Sequence, residues 1–137
     1  MFTIKEVSEK LDISEHTLRF WAKSGMFPFV SRDKNNIRQF SENDLNWVKI
    51  VKCLRSVGVD NKSVKKYVDL CVEGDSTIKE RAKIISETKK KALAKMDELT
   101  NQLELLNYKE KFYTDLIKNK SKDIWNPMNN LQGNLST

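Results

Sequence analysis

The chain has 137 residues and a formal net charge of +6. That length accommodates one domain plus an extension. No apolar run is long enough to span a bilayer and no secretory signal is visible, so a cytoplasmic protein is expected. Two cysteines and one histidine do not make a zinc site by themselves, and Cys53 and Cys71 lack metal-ligand spacing. No metal and no cofactor are expected. A basic chain suits nucleic acid, but residues 1–74 and 75–137 each carry +3. Local clustering is therefore more informative than the total.

Thr3-x-x-Glu6 is a capping-box pattern that opens a first helix, with Ile4, Val7 and Leu11 as its buried stripe. Asp12-Ile13-Ser14 is a tight turn into a second helix, which the Ser14 hydroxyl can cap. Leu18 and Trp21 fall on one side of that helix, and Gly25 supplies a stop. Two short helices joined in this way make a helix-turn-helix, whose second helix usually enters the major groove. A hairpin follows. Val30 and Ser31 form one arm, Ile37 to Phe40 the other, and Asp33-Lys-Asn-Asn36 carries turn chemistry. Between His16 and Phe40 lie five basic residues (Arg19, Lys23, Arg32, Lys34, Arg38) against one acid, Asp33. A basic hairpin after a helix-turn-helix is a winged arrangement, and its charge suits a polyphosphate partner.

Ser41-x-x-Asp44 opens a third helix, lined by Trp47, Ile50, Val51, Leu54 and Val57 with Leu45 and Val48 beside them; Gly58 ends it. Asp60 can cap a fourth helix with Val64, Tyr67, Val68, Cys71 and Val72 as its apolar face, and Gly74 ends that one. Thr77-x-x-Glu80 then caps a longer helix. Its 4-3 spacing runs Ile78, Ala82, Ile85, Lys89, Ala92, Met96, Leu99, Leu103, Leu106, Glu110, Tyr113, Ile117. That is a coiled-coil seam, and a lone helix with such a stripe needs a partner helix. In a parallel homodimer Lys89 meets Lys89. In an antiparallel one centred near Leu99 and Thr100, Lys89 comes within about a turn of Glu110, so an antiparallel pair is expected. After about Lys118 the composition turns to Lys, Asn, Ser and Gly, which predicts a frayed tail; Trp125 is expected to pack back onto an element that the sequence does not identify, and no second effector-sized domain is expected.

The fold class is thus mostly α: a winged helix-turn-helix with a small β-hairpin wing, a helix pair, then a long antiparallel coiled-coil dimerisation helix. The expected divisions are 1–74 for DNA binding, 75–118 for dimerisation and 119–137 for the tail. The dimer-interface set is Ile78, Ala82, Ile85, Ala92, Met96, Leu99, Leu103, Leu106, Tyr113 and Ile117.

The strings Phe2-Thr-Ile-Lys-Glu-Val, Ser14…Thr17-Leu-Arg-Phe-Trp21, Gly25-Met-Phe-Pro28, Ile37-Arg38-x-Phe40 and Ser41-x-x-Asp44-Leu45 together resemble the MerR family of bacterial transcription regulators. So does the order of parts, over roughly residues 2–118. Lys52-Cys53-Leu54-Arg55-Ser-Val-Gly58, Lys66-Tyr67-Val68-x-Leu70 and Gly74-Asp-x-Thr77…Arg81 are similar to the NmlR and AdhR branch. The resemblance implies a homodimer bound across two half-sites of promoter DNA. It implies activation by bending and untwisting a spacer so that RNA polymerase engages both promoter elements, and a nucleoid-associated location. Deformation is then read as energy. It maps base reading to His16 and Thr17, and phosphate clamping to Arg19, Trp21 and Arg38. Where family members often have Tyr, this chain has Phe20, Trp21 and Phe40. The candidate DNA-binding set is Ser14, His16, Thr17, Arg19, Phe20, Trp21, Lys23, Arg32, Lys34 and Arg38. Regulators of that branch respond to electrophiles, aldehydes or thiol stress, with a cysteine at the place of Cys53.

Cys53 lies at the shoulder of the third helix with Lys49 at i−4, and nearby cations favour the reactive thiolate. It is the candidate thiol sensor, expected where the third helix meets the dimer helix. Cys71 reads as a small buried hydrophobe. Two alternatives stand beside this reading: the same regulator under a non-covalent ligand or protein partner, and a coiled-coil adaptor without a DNA role, which leaves the basic wing unexplained. An enzyme is not expected, because no nucleophile–base pair, phosphate loop or carboxylate pair is visible.

Overall fold

A computed structural model of the chain describes residues 1–120 and 122–129. The expected tail positions 121 and 130–137 lie outside the described residues. The elements run α1 (Ile4–Leu11), α2 (Glu15–Lys23), β1 (Ser31–Arg32), β2 (Arg38–Gln39), α3 (Glu42–Val57), α4 (Asn61–Glu73), a 3-10 turn (Asp75–Thr77) and α5 (Ile78–Asn119). The fold is that expected from sequence: mostly helical, with one two-stranded hairpin and one long helix. None of the helices in the described residues is long and apolar enough to cross a membrane.

The ends of these helices are written in short-range chemistry. Thr3 and Glu6 form a reciprocal capping box at α1, and Ser41 and Asp44 do the same at α3. Ser14 accepts the Thr17 N–H at 3.1 Å and Asp60 accepts the Ser63 N–H at 2.8 Å. Hydrogen bonds from Ser63 hold the Asp60 carboxyl below its usual value. The folded-state value is depressed, so this cap's contribution is present at neutral pH and lost as pH falls through that value. In the hairpin, the Asp33 carboxylate accepts the N–H groups of Asn35 (2.8 Å) and Ile37 (3.0 Å), while Asn36 takes the left-handed conformation at φ 62°.

The chain forms two compact units, the first running from Met1 to Ala92 and the second beginning at Leu93. The core of the first joins Val7 from α1, Leu18 and Trp21 from α2, and Val48, Val51 and Leu54 from α3, closed by Val64 from α4. Met26, Phe27 and Phe40 fill it from segments with no helical period. Phe40 also exchanges two backbone hydrogen bonds with Phe2, at 2.7 and 2.8 Å, tying the N-terminus to the wing.

Several faces differ from the expected ones. Val72 and Ile50 are exposed, and Leu70 is buried in α4 instead. Trp47 lies between Phe29 and Tyr67, with ring centroids 5.3 and 6.2 Å away. Thr77 does not cap α5; its hydroxyl faces Leu70 and Gly74 carbonyls. In the first turns of α5 the covered side carries Ile84 and Thr88, which line a hollow of about 270 Å³ with Gly58, Asp60 and Lys66. Of the expected seam residues in these turns Ile78 and Ile85 are exposed, whereas Ala92, one turn beyond Thr88, is half-buried; in the second unit Leu99 is 63% exposed and Ile117 80%.

In the second unit Trp125 packs back, and its partners are residues of α5. Its ring stands 5.7 Å from Tyr108 and 6.0 Å from Phe112, and the Lys109 ammonium lies 4.2 Å from its centroid. Such a cation–aromatic contact holds the segment after α5 onto the helix.

Gly25 follows the end of α2 at φ +79°, and a Cβ there would meet Cε, near the far end of the flexible Lys65 side chain, at 2.7 Å. Gly25→Ala therefore meets both backbone strain and a clash that Lys65 must relieve. A loss of about 1–3 kcal/mol is expected from urea unfolding. In the Gly25→Ala/Lys65→Ala pair only the backbone part, about 1 kcal/mol, should persist.

Candidate nucleic-acid interface

The interface is built from α2 and the wing. The N-cap of α2 fixes its first turn, and there the Ser14 hydroxyl donates to Thr17 Oγ1 at 2.8 Å while accepting the Thr17 N–H. Ser14 is thus spent on structure. Thr17 keeps its own hydroxyl proton, aimed by the cap, and is half-buried. His16 is exposed beside it. Phe20 is 49% exposed, whereas Trp21 is a core residue. His16, Thr17, Phe20 and Trp21 line one open hollow of about 590 Å³.

The same hollow has a far wall that local sequence reasoning missed. It is made by Lys52, Arg55 and Ser56 of α3 and by Asn61 at the start of α4. Arg55 Nη1 donates to the Val59 carbonyl at 2.8 Å, which fixes the turn between the two helices. Lys52 Nζ donates to the Leu11 and Asp12 carbonyls at 2.8 and 3.4 Å, so an α3 ammonium sits on the C-terminal end of α1. No local periodicity places these residues opposite His16; the chain reaches them about 40 residues later.

A second hollow, of about 340 Å³, lies between the helix-turn-helix and the wing. Three arginines line it: Arg19 from α2, and Arg32 and Arg38 from the hairpin. Arg19 Nη2 pairs with Glu15 at 3.0 Å, both side chains being well exposed. Arg32 Nη1 donates to the Asn36 carbonyl across the turn at 3.0 Å. The hairpin register sets Arg32 directly opposite Arg38. Burial and the neighbouring Arg32 charge push Arg38 below the usual arginine value; the group stays cationic at physiological pH. Like charges directly opposite on a ladder destabilise it. Lys34 is exposed at the hairpin turn and Lys23 in the last turn of α2, and neither lines these two hollows.

Cys53 is exposed. The hollow around it, about 410 Å³, is lined by Lys10 and Leu11 of α1 and by Lys49, Lys52 and Ser56 of α3. The thiol therefore faces the helix-turn-helix, not the α3–α5 junction expected from sequence. Two lysines there, Lys10 and Lys49, are exposed, whereas Lys52 is engaged at α1. Cys71 is half-buried beside Tyr67, whose phenol is pushed up by burial and by the thiol, with Arg81 opposing. Among the described residues no group of three or more His, Cys, Asp or Glu side chains forms a metal site.

The comparisons with known proteins agree with this geometry. The pattern of MerR HTH family regulatory proteins matches residues 2–71. An HTH-type transcriptional regulator of Haemophilus influenzae is 37% identical over 112 residues, covering 82% of this chain and 83% of that protein. The regulator AdhR of Bacillus subtilis is 29% identical over 90 residues, covering 66% of this chain and 64% of AdhR. Among solved structures, HiNmlR, described as a MerR family regulator lacking the sensor domain and bound to promoter DNA, superposes with a TM-score of 0.81 at 35% identity, over 88% of this chain and 95% of that one. A MerR family regulator from Bacillus thuringiensis superposes with a TM-score of 0.77 at 28% identity, over 82% and 98%. Family pattern, relatives and winged fold converge: the chain belongs to the MerR family of DNA-binding transcription regulators, on the branch of AdhR and HiNmlR.

Proposed function

We propose that the protein works as a homodimer that grips promoter DNA at two half-sites and distorts the spacer between them, with RNA polymerase as its indirect partner. The observation that carries the reading is the opposition of Arg32 and Arg38 on a two-residue ladder, with Arg19 lining the same hollow. Three guanidinium groups converge against one carboxylate, Glu15, already paired to Arg19. A fold keeps such a repulsive arrangement when a polyanion relieves it, and duplex phosphates supply that. His16 and Thr17 are the proposed base readers. Phe20 is proposed as an apolar contact beside them, and Arg55 and Asn61 as the opposite wall.

The exposed seam of α5 supports the dimer. Met96, Leu99, Leu103 and Leu106 stand in water along one line. Hiding each in a partner helix contributes about 1.5–3 kcal/mol at most. The antiparallel register that brings Lys89 near Glu110 remains the proposed one, and the divisions at residues 74 and 118 are its functional parts.

Chemical control is proposed at Cys53. An adduct there would press on Lys10 and Leu11 at the end of α1, and so on the helix pair that reads DNA. Cys53→Ser is expected to abolish an electrophile response while leaving operator affinity within a few-fold; an unchanged response removes the cysteine from the scheme and leaves a ligand or protein partner.

The test of the main reading is duplex binding across salt. Association should weaken steeply between about 50 and 200 mM salt, by about 10³-fold or more for six or more phosphate contacts. A flat salt response, or a monomer by sedimentation at micromolar concentration, contradicts it.

A further inference from the structure

The segment Gly74-Asp-Ser-Thr77…Arg81 joins α4 to α5; base reading uses none of it, and the seam uses only Ile78. Its geometry is unusually constrained. Gly74 sits at φ 101°, ψ −157°, a region open essentially to glycine alone. A Cβ there would meet nothing within 4 Å, so the requirement is one of backbone and not of space.

Around that glycine a buried knot of hydrogen bonds closes. Thr77 is only 6% exposed. Its hydroxyl lies 2.6 Å from the Leu70 carbonyl and 2.8 Å from the Gly74 carbonyl, so one proton serves both. Its oxygen accepts Arg81 Nε–H at 2.9 Å, and Arg81 Nη2 donates to the Gly74 carbonyl at 3.1 Å. The Arg81 fork thus binds the end of α4 from within the first turn of α5. Outside it, Lys66 and Glu80 approach at 3.8 Å, an exposed pair of small weight.

The knot borders the packing that holds the winged fold through Tyr67, which is packed against that core and feels the Arg81 charge. The core cluster of that fold contains neither Gly74, Thr77 nor Arg81. What the knot fixes is the direction in which α5 leaves α4.

We propose that Thr77 and Arg81 are positioning residues that set this exit direction and, in the dimer, determine which half-site spacing the protein accepts. The reasoning rests on the dimeric reading above. Ile78 to Leu99 spans about 30 Å of helix. A tilt of about 10° at the knot displaces the middle of the seam by about 5 Å, more than one base-pair step of about 3.4 Å. Two subunits double the error. A loose exit would therefore let the dimer settle on several spacings, and a knotted exit selects one.

The test uses the full chain with Thr77→Val, Arg81→Lys and Thr77→Ser. Wild type first selects duplexes from a random pool, and binding is then measured as the spacer is changed by one base pair in each direction. Wild type should lose at least tenfold per step. Thr77→Val and Arg81→Lys should lose threefold or less, with affinity for an isolated half-site within twofold of wild type, while Thr77→Ser keeps the wild-type profile. Hydrogen exchange at the amides of residues 78–81 gives a reading independent of DNA: tenfold acceleration is expected in Thr77→Val and Arg81→Lys. Should Thr77→Val fail to fold, Arg81→Lys decides alone. Accelerated exchange with a wild-type spacing profile overturns the positioning role. Unchanged exchange overturns the knot. A wild type that selects no duplex overturns the regulator reading itself, and the spacing role with it, while exchange still reports whether the knot holds the junction.

Discussion

Replacing Arg32 and Arg38 together by alanine is expected to lower duplex affinity by about 10²–10³-fold at about 0.15 M salt, with no loss of folding stability. The two requirements separate a contact role from a structural one. A dimer loses four guanidinium groups. If each meets a phosphate, each accounts for a slope of about 0.9 in log affinity against log salt, so the slope should shrink by about 3–4. At 0.15 M that is the stated loss of affinity. The hairpin loses the Arg32–Asn36 hydrogen bond across the turn, and relief of the repulsion between the directly opposed Arg32 and Arg38 offsets that loss. Each single alanine variant should take roughly half the slope. Binding measured from about 50 to 300 mM salt, beside urea unfolding, decides the matter. An intact slope, or a loss that follows unfolding, removes the wing from the interface. The same logic distinguishes Lys23, which lines neither hollow; its alanine variant should stay within about threefold of wild type.

How far the sequence could go is visible in where it stopped. Helix ends were legible because caps are local: Thr3 with Glu6, Ser41 with Asp44, and Gly25 and Gly58 at positive φ. The hairpin was legible for the same reason, since Asp33 accepts amides only two and four residues away. The charge cluster followed from the hairpin. Arg55 and Asn61 were not legible as partners of His16, because only the packing of α3 and α4 against α2 brings them there. Nor was Lys52 legible as a clasp on α1. Thr77 has the spacing of a capping residue and serves instead as an acceptor for Arg81; spacing alone cannot tell which of two nearby donors a hydroxyl will meet. Met26 and Phe27 were missed as core because a turn has no period to read. Val72 was misplaced because periodicity gives the centre of an apolar face, not its width.

Phe40→Ala is expected to be the most destabilising single truncation in the winged unit. Phe40 is fully buried and meets Phe27 edge-on at 5.8 Å. Its backbone exchanges hydrogen bonds with Phe2, and the next residue, Ser41, caps α3. One side chain therefore anchors the wing, the N-terminus and the start of the central helix. Removing a buried Phe costs about 3–5 kcal/mol, a large share of the roughly 5–15 kcal/mol that holds a small domain together. A fall in Tm of about 15–30 °C follows for a unit of this size. Phe40→Leu keeps most of the volume and should cost far less, about 1–2 kcal/mol. Phe20→Ala is the control on the opposite side of the argument: that ring is half exposed at the reading face, so stability should change little while operator affinity falls. Unfolding must be followed at one fixed chain concentration, since dimerisation would add to every value. Equal stability losses in Phe20→Ala and Phe40→Ala would mean that the ring assigned here to DNA is part of the core.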